Sequence, residues 1–382
     1  MDILIPTTYG DVHAIAVEIA LVRMGHNVIR WFPALLPTTS SISFAAAQDV
    51  ITSSLLSPAD GPAAKASETI DVLWNRRIGV PITKNLPLAA ADKGPAAADL
   101  FRTVSSYLRF VSGRSLAIND FDAGRIAEDK IHQLSIASAV GIRIPQTLLS
   151  NNPADIRGFL VNADESYVCK PLYPVVWQRR DGQAVISMTS RLRSDELPAD
   201  EILQAGPMII QNEVPKKFEL RVTYMGGFLH AVKLNSQASQ ASALDWRAVS
   251  PSALSMEEVD LPDRTANQCL EIMKCLGLRF GCLDLIVDTS GEYVFLEVNQ
   301  MGQFLWIEQF QAGIPMLDHF CSFLLAPGGQ YDGTPCLETG GYPGLVPEID
   351  AALQEDLALH SKTIADLKEP SELMPNIVAE GP

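Results

Sequence analysis

The sequence predicts a mixed α/β (α+β) protein of two or three domains, and three observations predict it. The chain has 382 residues, of which 47% are apolar, more than one core of ordinary size accommodates. Its first 32 residues read as strand, helix, strand, the opening of a parallel sheet. Residues 281–308 instead read as an antiparallel hairpin. Two β-rich runs, 283–287 and 293–298, flank the turn Asp288-Thr289-Ser290-Gly291.

Composition excludes several function classes. The formal net charge is −16 and the pI is near 4.8. Binding a nucleic-acid backbone needs a positive surface, so no nucleic-acid partner is expected. No run of about eighteen apolar residues is present, so no membrane span is expected. The opening MDILIPTTYGDVH has neither a basic start nor a long apolar stretch, so no secretory signal is expected. Cys169, Cys269, Cys275, Cys282, Cys321 and Cys336 form no C-x-x-C pair and sit mostly among apolar neighbours. They read as free thiols of a reducing, cytoplasmic protein. The histidines show no i, i+4 pair that would suggest a metal site.

The elements follow in order. Residues 2–6 form a strand. Residues 12–24 carry Ile15, Ile19 and Val22 at helical spacing, with Gly25 suited to close the helix. Residues 27–32 are a second strand, and the absence of G-x-G-x-x-G argues against a dinucleotide site. Residues 38–67, rich in Ala, Ser and Thr, carry weak strand signals only. A strand at 72–75 ends in Arg76-Arg77, either a solvated strand end or a pair facing an anionic ligand. Helices cover 89–111 and 125–140; the second holds Lys130 and stops at Gly141. A turn and strand occupy 142–147, and Asn152-Pro153 opens a helix to about residue 161.

Residues 167–172 make an apolar strand containing Lys170, either an edge lysine with its head in water or a phosphate contact. Residues 173–182 form a loop or hairpin tip with Arg179 and Arg180, and 184–189 pairs back. Strand 208–211 leads through Gln211 to Asn212, Glu213 and Val214. Strand 218–225 places Glu219 and Arg221 two apart, on one face. Gly226-Gly227 then turns the chain into strand 228–234. A polar segment, 236–242, precedes Asp245-Trp246-Arg247. Helix 265–276 precedes the hairpin, and a last helix covers 303–325 despite Pro315. Residues 331–382 read as a short appendage with one helix, 348–367, and a frayed end.

The hairpin carries the chemistry. Asp284 interrupts its first run, and Glu297 and Asn299 stand two apart on its second, so those two point together. An antiparallel partner can bring Asp284 beside them. Leaving a charge unpaired inside an apolar run is too costly to be incidental, so a metal or a basic partner is implied. Hard divalent cations take such oxygen ligands, and Mg²⁺ takes one or two carboxylates plus phosphate oxygens.

Lys130, Lys170, the segment 211–214, Glu219-x-Arg221, Arg247 and the Asp284/Glu297/Asn299 trio resemble, in this order, the ATP-grasp enzymes over roughly residues 115–325. The phrases VPKKFELRVTYMGG, NSQASQASALDWR and FLEVNQMGQFLWIE narrow the resemblance to the microviridin-type peptide maturases, or graspetide synthetases. DVLWNRR and EDKIHQLSIASAVGIRIPQTLLSNNP fit the same group. The resemblance implies an ATP-grasp fold behind an N-terminal, Rossmann-like pre-ATP-grasp domain. Its segments would be 1–114, 115–207 (central), 208–330 (C-terminal ATP-grasp) and 331–382 (appendage and tail).

The resemblance also implies an activity. ATP would phosphorylate a side-chain carboxylate of a ribosomally made precursor peptide, and a hydroxyl or amine of the same peptide would close a macrocyclic ester or amide. The implied cofactors are ATP and Mg²⁺. The implied partner is the precursor with its leader segment, and the enzyme is expected as a homodimer. Lys130 and Lys170 would neutralise phosphates. Gln211, Asn212, Glu213 and Val214 would frame adenine, and Glu219 would accept from ribose. Arg221 and Arg247 would hold the γ-phosphate and acyl phosphate catalytically, and Asp284, Glu297 and Asn299 would hold the metal.

The sequence departs from that pattern in three places, and its C-terminal appendage is longer than the resemblance leads one to expect. The loop after Lys170 has a single glycine, with Arg179 or Arg180 available instead. Asn212 stands where Glu is commoner, and Gln300 follows the E-x-N in place of Pro. Two other functions fit the same residues: a ligase adding free amino acids to a peptide or protein, and a nucleotide-binding regulator without turnover. No general base is evident.

Overall fold

The structure is a computed structural model. It describes every residue except 39, 49, 58–63, 66–69, 83–87, 162–165, 173–175, 179–183, 187–188, 336–338 and 367–382. Arg179, Arg180, Cys336 and the expected frayed end lie outside the described residues. The chain opens with β1 (Asp2–Pro6), α1 (Val12–Arg23), β2 (Asn27–Trp31), β3 (Ser41–Ala47), β4 (Val50–Ser57), β5 (Ala64–Lys65), β6 (Val72–Trp74), α2 (Ala90–Ser112), β7 (Leu116–Ile118) and α3 (Phe121–Ile126). It continues with α4 (Lys130–Val140), β8 (Thr147–Ser150), α5 (Pro153–Phe159), β9 (Tyr167–Lys170), β10 (Val176–Gln178), β11 (Ala184–Ile186), β12 (Ser190–Leu192), α6 (Asp200–Ala205) and β13 (Met208–Asn212). It ends with β14 (Lys216–Met225), β15 (Phe228–Leu234), β16 (Met256–Glu258), α7 (Asp263–Cys275), β17 (Phe280–Asp288), β18 (Tyr293–Asn299), α8 (Leu305–Phe310), α9 (Met316–Leu325) and α10 (Gly341–Asp366).

Two compact units result. The first comprises Met1–Asp122, Pro315–Gly329 and Thr334–Pro382; the second comprises Ala123–Ile314 with Gln330–Gly333. The first is built on the parallel sheet β2-β1-β6-β7. Ile3, Leu4 and Ile5 are fully buried, as expected of a strand covered on both faces. Asp11 caps α1 by accepting from the His13 N–H, and Gly25, at φ 84°, follows its end. The weakly signalled residues 38–67 hold an antiparallel sheet, β3-β4-β5. Its strand β3 is mostly exposed, so no alternation of buried and exposed residues marks it in the sequence.

The segment read as an appendage contributes to this first unit. Leu345 and Ile349 of α10 are buried. Asp356 accepts from the Gly10 N–H at 3.1 Å and from Arg30 Nη1 at 2.7 Å. No helix among the described residues is long and apolar enough to cross a membrane.

The second unit holds two antiparallel four- and five-stranded sheets, β12-β9-β13-β8 and β16-β15-β14-β17-β18. α4 and α7 cover one face of the larger sheet, where Leu134, Ile272, Leu283, Leu285 and Val298 share a core. The other face carries Glu219, Asp284, Glu297 and Asn299. Two helices read as continuous are broken. The expected 125–140 helix divides because Asp129 caps a fresh start, accepting from the Ile131 and His132 N–H groups, so Lys130 is the first residue of α4. The expected 303–325 helix divides into α8 and α9 at Pro315, whose ring and missing N–H end helical hydrogen bonding.

Gly302 closes the turn after β18, donating to the Asn299 carbonyl at 3.0 Å with φ 52°. A Cβ there would lie 2.6 Å from the Phe280 ring. Gly302→Ala is expected to lower stability by roughly 2 kcal/mol or more, from left-handed backbone plus overpacking. The urea midpoint checks it.

Candidate active site

The two sheets of the second unit enclose a cavity of about 560 Å³, a size that suits a small-molecule ligand. The smaller sheet contributes Lys170, Gln211 and Asn212, the larger one Glu219, Asp284, Glu297 and Asn299, and α4 contributes Lys130. Arg247 comes from the segment between β15 and β16. The structure therefore brings almost every candidate residue to one wall or another.

The three oxygen-bearing side chains meet as the hairpin reading expects. β14 and β18 flank β17, with Asp284 opposite Arg221 on one side and Glu297 on the other. A β-bulge between Asp284 and Leu285 leaves Leu296 without a partner in the register, and Leu296 and Glu297 both line the cavity. Asn299 donates from Nδ2 to Asp284 Oδ2 at 2.9 Å. Because an ionised carboxylate only accepts, this fixes the amide with its Oδ1 left as an acceptor. Two carboxylates and an amide oxygen are the donor set a hard divalent cation takes.

Cations already balance these carboxylates. Arg221 Nη1 donates to Asp284 Oδ1 at 2.8 Å and Oδ2 at 3.0 Å, and Nη2 donates to the Gln303 carbonyl at 3.0 Å. Arg221 is buried and stands behind Asp284 rather than on the cavity wall, with its Nε lacking a hydrogen-bond partner among the described residues. Lys130 Nζ pairs with Glu297 Oε2. Burial pushes the Glu297 carboxyl up, but Lys130, Lys170 and Arg247 together hold it well below the usual carboxylate range. Burial lowers the Lys170 ammonium from its ordinary value, aided by Lys130 and Arg247 and opposed by Glu297.

Glu219 and Arg221 share a face but do not pair with each other. Glu219 accepts from Lys216 Nζ at 2.7 Å, and Lys216 also donates to the Leu244 carbonyl at 2.9 Å. Burial raises the Glu219 carboxyl despite Lys216. The segment 211–214 is tied down through its backbone. The Asn212 N–H donates to the Gln146 carbonyl at 3.2 Å and the Glu213 N–H to that of Ser166 at 2.6 Å. Gln211, Asn212, Glu213 and Val214 all line the cavity. Gln211 Nε2 donates to Thr147 Oγ1, and Asn212 Oδ1 accepts from the Gln146 N–H, so both side chains buttress the strand.

Arg247 makes a two-point bond to Asp245, Nε to Oδ1 at 2.9 Å and Nη2 to Oδ2 at 2.8 Å. Half its side chain stays exposed while the Asp245 side chain is buried. Burial raises the Asp245 carboxyl, but Arg247 outweighs this and brings it to about 2 from 3.8. A carboxyl depressed on folding binds protons more readily unfolded, so its contribution is complete above the unfolded value and is lost as pH falls toward 2. The stability gap between the native protein and Asp245→Asn is thus expected to narrow with acid below about pH 4. Denaturant titrations from pH 6 downward check this, and a gap independent of pH excludes the pair as its source.

Four contributors escaped the sequence reading: Gln133, Lys216, Trp246 and Trp306. Trp246 lines the cavity and stacks on Trp306, ring centroids 4.8 Å apart. An apolar stripe such as Phe304-Leu305-Trp306 belongs in the core. Phe304 and Leu305 are there, but Trp306 is half-buried and donates from Nε1 to the Gln303 carbonyl. The adjacency of Trp246 to Arg247 was the available signal. Gln133 had one too, a polar residue one turn after Lys130.

No protein-family profile and no curated protein matches the sequence. Solved structures do match. A Chryseobacterium gregarium RiPP-associated ATP-grasp ligase, in complex with ADP and a leader and core peptide, is 26% identical, with a TM-score of 0.73 over 87% of this chain and 99% of that one. The macrocyclase MdnB from Microcystis aeruginosa MRC is 25% identical, with a TM-score of 0.69 over 85% and 99%. The macrocyclase MdnC from the same source, bound with precursor peptide MdnA, is 23% identical, with a TM-score of 0.71 over 85% and 99%.

Proposed function

We propose that this chain, an ADP-forming ligase with the ATP-grasp fold, activates a side-chain carboxylate of a ribosomally made peptide and closes a macrocyclic ester or amide. The observation that carries the reading is the convergence on one cavity of Asp284, Glu297 and Asn299 with Lys130, Lys170 and Arg247. Two anions, a carboxylate and a triphosphate, react only where fixed cations offset their repulsion.

In this reading ATP binds with adenine against the segment of Gln211, Asn212, Glu213 and Val214. Lys130 and Lys170 lie against its phosphates and Glu219 toward its ribose. Mg²⁺ held by Asp284, Glu297 and Asn299 would supply charge neutralisation of phosphate oxygens. The peptide carboxylate attacks the γ-phosphorus, the bond to the bridging oxygen breaks, and ADP leaves. A hydroxyl or amine of the same peptide then attacks the acyl carbon, loses its proton, and expels phosphate. Arg247, half-exposed and held level by Asp245, is placed to grip the transferring phosphoryl group with a planar fork. Arg221 orients Asp284 and reaches phosphate only if that pair parts. The ligand assignments draw support from the donor set and from the way Asn299 is oriented.

The test is incubation with ATP, Mg²⁺ and the short peptide encoded beside its gene, followed by mass spectrometry. Loss of one water per ring with ADP release is expected. A gain of residue mass means conjugation of free amino acids, and nucleotide binding without ADP means a regulator; either overturns the proposal. The same reading includes a homodimer, which light scattering checks.

A further inference from the structure

We propose that Gln133 is a positioning residue for the metal-holding strand, acting as a one-residue surrogate for a neighbouring strand; this rests on the metal reading above. Gln133 is 2% exposed. Its Nε2 donates to the carbonyls of Ala127 at 2.6 Å and Val298 at 2.9 Å, and its Oε1 accepts from the Val298 N–H at 2.7 Å. Val298 stands between Glu297 and Asn299. Among the described strands β18 has only β17 beside it; Arg143 bridges its outer side at Val294 and Phe295, but the outward N–H and C=O of Val298 have no strand to bond. A side-chain amide carries the donor and acceptor of a peptide group and closes that edge.

The need for closure comes from the bulge at Leu296, which interrupts the ladder immediately before Glu297. α4 therefore holds β18 at two points. Lys130 and Gln133 are three apart and share a helix face. Lys130 holds the Glu297 side chain by charge, and that bond must part if Lys130 is to reach phosphate and Glu297 a metal. Gln133 holds the backbone and has no such conflict. It keeps Glu297 and Asn299 aimed at the cavity while Lys130 changes partner.

The probe is Mn²⁺, followed by electron paramagnetic resonance with ADP present, in the full-length protein. Gln133→Glu keeps the volume but turns a donor into an acceptor facing two carbonyls; Gln133→Leu removes both bonds. Each is expected to weaken Mn²⁺ about tenfold while metal-free ADP affinity stays within ~3-fold, as loss of an outer support does. Unchanged Mn²⁺ affinity with only a lower melting temperature overturns the inference. A native protein that binds no Mn²⁺ with ADP overturns the metal reading, and this inference with it. Should neither variant fold, hydrogen exchange of the native Val298 amide decides. Protection comparable to that of β17 supports the pin, and exchange at the rate of an open edge overturns it.

Discussion

Glu297→Gln is expected to lower ADP formation at least ~100-fold while leaving the fold intact, the scale typical of losing one fixed electrostatic element of a reaction site. The substitution keeps size and removes one charge. It deprives Lys130 and the metal of their common carboxylate, and it lies on an edge strand whose core side is carried by Val298. Stability is expected to fall without loss of the fold, because Lys130 and Lys170 lose the carboxylate that offsets their charge. Circular dichroism checks the fold and a coupled ADP assay the turnover. Undiminished turnover would refute the assignment of Glu297 to the metal.

Arg247→Ala should separate rate from affinity. Turnover is expected to fall on the order of 100-fold and ATP affinity by less than about threefold, the signature of an interaction made chiefly in the transition state. The geometry supports that split. The guanidinium is already fixed by Asp245 at 2.9 and 2.8 Å, so it reaches the reacting phosphoryl group without being ordered first. The adenine contacts proposed for Gln211 and Asn212 lie on the smaller sheet and would be untouched. If affinity alone falls, Arg247 is a ground-state ligand and not a catalytic residue.

The hairpin was legible because its signal is local. Polar residues interrupt runs of period two, and the turn residues bracket them, so Asp284, Glu297 and Asn299 could be gathered from sequence alone. The bulge that sets Leu296 and Glu297 on one face was not, since a register shift depends on the partner strand. Helix interruptions at 127–129 and 311–315 were hidden because apolar spacing persisted across them. Asp129 and Pro315, both visible, decided the breaks. Residues 38–67 gave little because β3 is mostly exposed and buries too few residues to write a pattern. The partners of Arg221, Glu219 and Lys130 are fixed by strand order and helix docking, and so is Gln133's hold on Val298. Nothing in the spacing of these residues along the chain announces them.

The paired charges around the cavity carry a thermodynamic consequence. Asp284 with Arg221, Glu297 with Lys130 and Glu219 with Lys216 leave little net attraction for a lone guest. A divalent ion arriving by itself strands two cations, and a nucleotide arriving by itself strands the carboxylates. Arriving together, each absorbs the charge the other displaces. Mg²⁺ should therefore tighten nucleotide binding by the same factor that nucleotide tightens Mg²⁺. Independent affinities in paired calorimetric titrations would disprove that synergy.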